Sequence, residues 1–255
     1  MNLRELMING GQVERGDTCR LVLPASSSTS YMDAQLDDYG SAAHRRGKSR
    51  RGYPWRPGVT LELQARFSHE RDQLVGTAGF GFWNAPFGDP TVRWPALPQA
   101  AWFFYASAPT DLPLAGDEPG RGWFAGTIDL GRWRAWRLAP LALPVLWLNQ
   151  IAVCRRRVWP AVQRQLGISF QTLAGDMREW RTYSLSWQAA GCTFTVDGET
   201  ALHTPFSPRG PLGFVCWLDN QYLIATARGR VRAGILPIPQ PQWLEIAGLA
   251  IKTPD

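Results

Sequence analysis

The sequence predicts an all-β sandwich, and three observations carry that expectation. Residues 59–68, VTLELQARFS, alternate apolar and polar with the period of two that a half-buried strand requires. Residues 183–187 and 193–196 repeat the pattern on either side of an Ala189-Ala190-Gly191 turn. The 25 Gly and 20 Pro are scattered along the chain, which suits many short strands joined by turns rather than a helical bundle. At 255 residues, with 45% hydrophobic and 19% charged residues, the chain fits one large domain with an ample core. We expect an N-terminal segment over residues 1–24 and the sandwich over 25–255, interrupted by a helical insert at about 138–173.

Taken in order, residues 20–23 form a short strand after a Gly- and charge-rich start that lacks the basic-then-apolar layout of a secretion signal. Ser26 to Ser30, all Ser or Thr, make a loop. Residues 31–40, YMDAQLDDYG, enter the sandwich as a strand and bring Asp33, Asp37 and Asp38 next to aromatic residues, either as site carboxylates or as a solvated strand edge. The loop from His44 to Arg56 places Arg45, Arg46, Lys48, Arg50 and Arg51 ahead of Tyr53 and Trp55, a pattern used by single-stranded nucleic-acid grooves. One short run without a nucleic-acid module reads better as a solvated loop, so nucleic acid is disfavoured as a partner.

After the strand at 59–68 comes an aromatic stretch, residues 79–106, read as strand, long loop and strand. Residues 111–121 are a Pro/Gly-rich loop and 122–130 another strand. Between 138 and 154 only Asn149 and Gln150 are polar, and Arg155-Arg156-Arg157 follow at once. Pro144 suits a first helical turn and Pro160 a break or restart, so two short helices are expected. The run is too short, and too interrupted by Pro140 and Pro144, to span a bilayer. Its Trp147 and Trp159 beside an Arg cluster leave three roles open: a cap on the sandwich, a homo-oligomer contact, or a peripheral membrane contact through 138–166. Residues 211–226 read as strand, polar interruption and strand, and 242–251 as a closing strand placed beside the first.

Thirteen Trp exceed the ordinary needs of one core. Indoles either fill the interior or stack on the flat faces of sugars and apolar ligands. The formal charge of +6 comes almost entirely from Arg, and by itself it does not choose among an acidic partner, a phosphate-bearing ligand and a membrane surface. The four cysteines show no paired spacing, so neither zinc nor a disulfide framework is signalled. Cys192 and Cys216 lie in apolar runs and read as buried thiols, which points to a reducing, cytoplasmic setting.

Several pieces of this text resemble one known family. Phe82-Trp83 leads through Trp94-Pro95 into a further strand, and Tyr183-x-x-x-Trp187 is followed by a turn and Val196-Asp197-Gly198. Both are similar to segments of the laminarinase and lichenase type glycoside hydrolases, glycoside hydrolase family 16. The likeness spans about 31–106 and 181–251. It implies a concanavalin A-like jelly-roll β-sandwich, with the helical insertion lying outside it. That family carries Glu-x-Asp-x-x-Glu after Trp-Pro. Here the three positions fall on Gln99, Ala101 and Phe104, and no acid occurs between Asp89 and Asp111.

A retaining glycosidase needs two carboxyl groups about 5 to 5.5 Å apart, and Gln, Ala and Phe supply neither a nucleophile nor an acid. No G-x-S-x-G, H-E-x-x-H or phosphate-binding loop is present, and His44, His69 and His203 are isolated. The expectation is a non-hydrolytic protein that binds a carbohydrate or apolar small molecule, without cofactor or metal. Its aromatic cleft would use Trp83, Asn84, Trp94, Gln99, Phe104, Asp219, Asn220 and Tyr222, with the turn at 219–222 at the same mouth as Trp83 and Asn84. The alternative is an enzyme of another type, acting on an apolar or lipid-like substrate with Asp33, Asp38 or Asp219 as its acid.

Overall fold

The structure is a computed structural model that describes residues 3–27, 30–39, 53–86, 97–114, 120–131 and 139–253. In chain order the elements are β1 (Arg4–Ile8), β2 (Gln12–Arg15), β3 (Cys19–Leu23), β4 (Asp33–Asp37), β5 (Val59–Phe67), β6 (Thr77–Trp83), β7 (Gln99–Ala106) and β8 (Gly122–Asp129). Helices α1 (Ala142–Leu148) and α2 (Ala152–Gln165) follow. Then come β9 (Ser169–Thr172), β10 (Arg181–Gln188), β11 (Gly191–Val196), β12 (Glu199–Thr204), β13 (Gly213–Asp219), β14 (Gln221–Ala225), β15 (Val231–Ile235) and β16 (Gln242–Lys252).

Among the described residues two seven-stranded sheets result, in the orders β1-β4-β13-β6-β7-β8-β9 and β12-β11-β10-β5-β16-β3-β2, and β14 and β15 form a separate hairpin. Residues 4–23 serve both sheets, β1 on the edge of one and β2 and β3 at the edge of the other. The last strand, β16, pairs on one side with β3, the strand read at residues 20–23, and on the other with β5.

Alternation explains how the sheets meet. Val59, Leu61, Leu63, Ala65 and Phe67 of β5 all turn into the interior, as the period-two text requires. Facing rings interdigitate across the gap. Phe80 meets Tyr183 at 5.1 Å, Phe82 meets Trp187 at 5.1 Å, Phe103 meets Phe194 at 5.4 Å and Phe67 meets Trp123 at 5.2 Å. Trp123 and Trp187 are therefore core residues, and each such ring removes a large apolar area from water. Cys192 and Cys216 are buried in the same interior, where burial pushes the Cys192 thiol up to about 12.

The two helices stand between β8 and β9. Pro144 sits in the first turn of α1, as expected. The break falls at residues 149–151 rather than at Pro160, through which α2 runs on. The fixed side of α2 explains its persistence. Arg155, Trp159 and Val162 form one buried stripe at helical spacing, and the Trp159 indole and the Gln163 amide both donate to the Pro113 carbonyl at 3.1 and 3.0 Å. Asn149 Nδ2 donates to the Ala227 carbonyl at 2.9 Å, joining the helix junction to the β14–β15 hairpin. Among the described residues no helix is long and apolar enough to cross a membrane.

Candidate functional site

The side of the first sheet that faces away from the second is unusually aromatic. Strand register arranges it in rows. One row runs Gln35, Trp217, Gly79, Phe104, Phe124 and Thr172, and the next runs Asp37, Val215, Gly81, Trp102, Gly126 and Phe170. Trp83 stacks on Trp102 at 4.6 Å and 30°, Trp102 reaches Phe104 at 4.9 Å and Trp217 at 5.5 Å, and Phe104 meets Phe124 at 5.1 Å. Phe104, Phe124 and Trp217 form the buried floor, while Trp83, Trp102 and Phe170 keep part of their rings exposed.

Two glycines make this floor possible. A Cβ on Gly79 would stand 2.9 Å from Cη2 of Trp217 and 2.2 Å from the Phe103 carbonyl oxygen, and one on Gly81 would stand 2.7 Å from the Trp102 Cβ. Without side chains there, the flanking indoles lean over the β6 backbone. Leu112 and Leu114 pack against the same cluster, so residues 111–114 form one wall.

At one end of the face lies a polar knot. Asp219 Oδ1 accepts the Thr77 hydroxyl at 2.9 Å and the backbone N–H groups of Thr77 and Gln221, and the Trp217 indole donates to the Thr77 hydroxyl at 3.0 Å. Burial nevertheless pushes the Asp219 carboxyl up to about 6. Asp33 is its register partner on β4, and Tyr31, hydrogen-bonded to Asp33, has its phenol raised by burial and by the two nearby carboxylates.

Asp38 belongs to the opposite end. Its Oδ1 accepts the Phe214 N–H at 2.9 Å and its Oδ2 the Trp55 indole N–H, and burial pushes it up to about 7 despite both bonds. Trp55 in turn packs on Phe82, toward the inter-sheet core.

The structure thus brings Trp83 and Phe104 onto one face but separates other expected members. Gly213 pairs with Trp83 and Asp219 with Thr77, so the antiparallel register puts Asp219 about 20 Å along β6 from Trp83 rather than at the same mouth. Asn84 clasps the two ends of the following loop: its Nδ2 donates to the Leu97 carbonyl at 2.9 Å and its Oδ1 accepts the Gln99 N–H at 2.9 Å. Gln99, expected in the cleft, rests its side chain against Gly131, and Ala101, two residues on and so on the same side of β7, lies in the inter-sheet core.

Asn220 is fully buried and ties three segments together, accepting the Met32 N–H and donating to the carbonyls of Ser30 and Leu236. Tyr222 lies over Gly234 in the hairpin. Trp94 and the basic residues from His44 to Arg51 lie outside the described residues. Trp102, Phe124 and Phe170 were not singled out from sequence. The signal for Trp102 was its position two residues before Phe104 on one strand, which places both on one face.

Other features offer less. An open groove of about 640 Å³ between residues 25–27, Val75, Ala108 and residues 236–239 has no ionisable lining residue. Among the described residues, no three His, Cys, Asp or Glu side chains group to hold a metal ion.

No family model matches the chain, and no curated protein matches it. Among solved structures it is similar to the carbohydrate recognition domain of Emp47p, at 13% identity over 100% of this chain and 89% of that one, with a TM-score of 0.50. The likeness is one of fold. It agrees with the two antiparallel sheets above, and the chain is a concanavalin A-like jelly-roll sandwich. Two looser alignments fall below a TM-score of 0.5 and add nothing to that conclusion. One is with an endo-acting O-glycanase of the human gut microbiota, at 12% identity, covering 97% of this chain and 83% of that one, with a TM-score of 0.47. The other is with an immunostimulatory antigen and pseudo beta-1,3-glucanase of Mycobacterium tuberculosis, at 12% identity, covering 92% and 75%, with a TM-score of 0.44.

Proposed function

We propose that the protein binds a carbohydrate, or a small molecule with a comparable flat apolar face, on the outer side of the first sheet and does not hydrolyse it. The observation that carries this reading is the half-exposed pair Trp83 and Trp102, stacked at 4.6 Å over a buried floor of Phe104, Phe124 and Trp217. Indole faces attract the polarised C–H groups on one side of a pyranose ring, and a floor already packed and desolvated loses little freedom on binding. The positions that hold acids in the resembled glycosidases are Gln99, Ala101 and Phe104, of which Ala101 is shut inside the core. The carboxylates Asp33 and Asp219 sit at the far end of the face and Asp38 points toward Trp55, so none flanks the Trp83–Trp102 pair.

The test is a thermal-shift and Trp-fluorescence screen with β-glucan oligosaccharides beside a panel of apolar small molecules, with reducing sugar measured in parallel. Stabilisation that is lost in Trp102→Ala, with no reducing sugar released, supports the proposal. Release of reducing sugar, or a response unchanged in Trp102→Ala, overturns it. One observation favours the enzymatic alternative: Asp219, raised to about 6 by burial, touches Thr77, which also receives the Trp217 indole. Turnover of any panel compound that disappears in Asp219→Asn would establish that reading instead.

A further inference from the structure

The helical segment presents an apolar surface that the sandwich does not use. Leu143, Trp147 and Val153 are 79%, 69% and 62% exposed, and Leu141 and Ile151 are about half exposed beside them. Leu143, Trp147 and Ile151 recur every four residues, which stacks them along one side of the α1 axis and across the junction to α2. The opposite side is the anchored one: Leu146 lies against Gly229, Val145 packs with Trp159, and Asn149 is fully buried. Orientation is therefore fixed, with the apolar row turned outward.

Charge is partitioned along the sequence that carries this row. No acidic residue occurs between Asp129 and Asp176, where seven Arg fall, or between Asp219 and Glu245, where three more fall. These two stretches touch each other, since Gln150 Nε2 donates to the Arg228 carbonyl at 3.0 Å and Asn149 to that of Ala227. Their ten arginines exceed the formal net charge of +6, so the remainder of the chain is net negative at −4. Arg156, Arg157 and Arg164 on α2 and Arg228, Arg230 and Arg232 on the hairpin are all exposed.

We propose that α1, the start of α2 and the tip of the β14–β15 hairpin dock the protein on an anionic lipid surface. Leu143, Trp147, Ile151 and Val153 would enter the headgroup boundary, and the arginines would lie among lipid phosphates. An apolar row with a Trp, flanked by cations in stretches that themselves carry no carboxylate, is what an interfacial segment requires. The hydrocarbon stems of Arg reach past the apolar contact while the guanidinium stays at the phosphates. A second copy of the chain is a poor occupant, because a two-fold contact would set the same arginines against one another. The charge complement is a negative surface that also accepts apolar side chains.

The experiment uses the full chain with vesicles of phosphatidylcholine alone and of phosphatidylcholine mixed with phosphatidylserine, read by co-sedimentation and Trp fluorescence. Binding is expected only to the mixed vesicles, weakening as salt shortens the Debye length from about 10 Å at 0.1 M to about 3 Å at 1 M. Leu143→Glu with Trp147→Glu should abolish it while leaving the unfolding midpoint unchanged, since both side chains are exposed. Arg230→Gln with Arg232→Gln should weaken it about thirty-fold. A blue shift of the wild-type emission on binding should shrink in Trp147→Phe. Failure to bind the mixed vesicles at low salt overturns the proposal. So does equal binding by the Leu143→Glu, Trp147→Glu variant, which would mean that the arginines gather any polyanion. A dimer in solution that this variant dissolves, without vesicle binding, would identify a second copy as the occupant instead.

Discussion

Asp38 ties a measurable pH dependence to a single buried group. Its carboxyl takes two N–H donors, from Phe214 and Trp55, and is still pushed up to about 7 by burial. In the unfolded chain an aspartate titrates near 3.9. Between those values the folded protein keeps a proton that the unfolded chain has released, so unfolding free energy falls as pH rises from about 4 to about 7 and then levels off. Three units at about 1.36 kcal/mol each amount to a decline on the order of 4 kcal/mol. Asp38→Asn abolishes the titration but leaves its NH2 facing one of the two N–H donors, at a cost of about 1–3 kcal/mol. The variant is therefore expected to be the less stable protein at about pH 4 and the more stable one at about pH 8. Urea unfolding of both proteins across that range reads the difference directly. Parallel stability curves would refute the burial argument.

Trp102→Ala should leave the fold intact at a cost of roughly 2 kcal/mol, less than for a fully buried ring, and should abolish the ligand response in the thermal-shift screen. Gly79→Ala places a Cβ 2.2 Å from the Phe103 carbonyl oxygen and 2.9 Å from the Trp217 ring, so denaturant unfolding should show a loss of about 1–3 kcal/mol together with a changed Trp emission. Arg4→Ala removes the guanidinium whose Nε and Nη2 donate to Asp37 at 2.9 and 2.7 Å. Among the described residues the fully buried Asp37 carboxylate then keeps donors from Gln35 and the Tyr39 N–H, and urea titration should report a loss of about 3 kcal/mol, part of it restored in Arg4→Lys.

Local text made some of this molecule readable and left other parts opaque. Strand β5 was legible to within a residue because one of its faces is wet, and its polar positions mark the phase. Strand β7, QAAWFFYA, is apolar on both sides, because one face meets the second sheet and the other carries Trp102 and Phe104. Its phase could not be read from alternation, and Gln99 was grouped with Phe104 although the two lie on opposite sides of the strand. The placement of Asp219 failed for a different reason. Nothing near residue 219 encodes that β13 runs antiparallel to β6, a strand some 140 residues earlier in the chain, and that pairing alone sets it beside Thr77. In the helices, Pro160 was read as a break on propensity, and the buried stripe of Arg155, Trp159 and Val162 outweighed it. The raised pKa of Asp38 comes from its burial, against which the Trp55 hydrogen bond works, and nothing local to residue 38 in the sequence marks that burial.

The positions of β13 and β16 bear on how the chain can be made. Each is a late strand that lies between two early ones, β13 between β4 and β6, and β16 between β5 and β3. A ribosome therefore releases both neighbours long before the strand that joins them. From Leu23 to Gln242 there are about 220 residues, or about 10–40 s of synthesis, during which the β2–β3 ribbon has no seat in its sheet. Neither half of the nascent polypeptide can close a sheet alone, so assembly waits on distant pairings, the slow regime for folding. For that interval the backbone groups of β3 stay open to strands of other chains, and recombinant yield should respond to translation rate and to chaperones that shield nascent strands more than to stability of the finished sandwich.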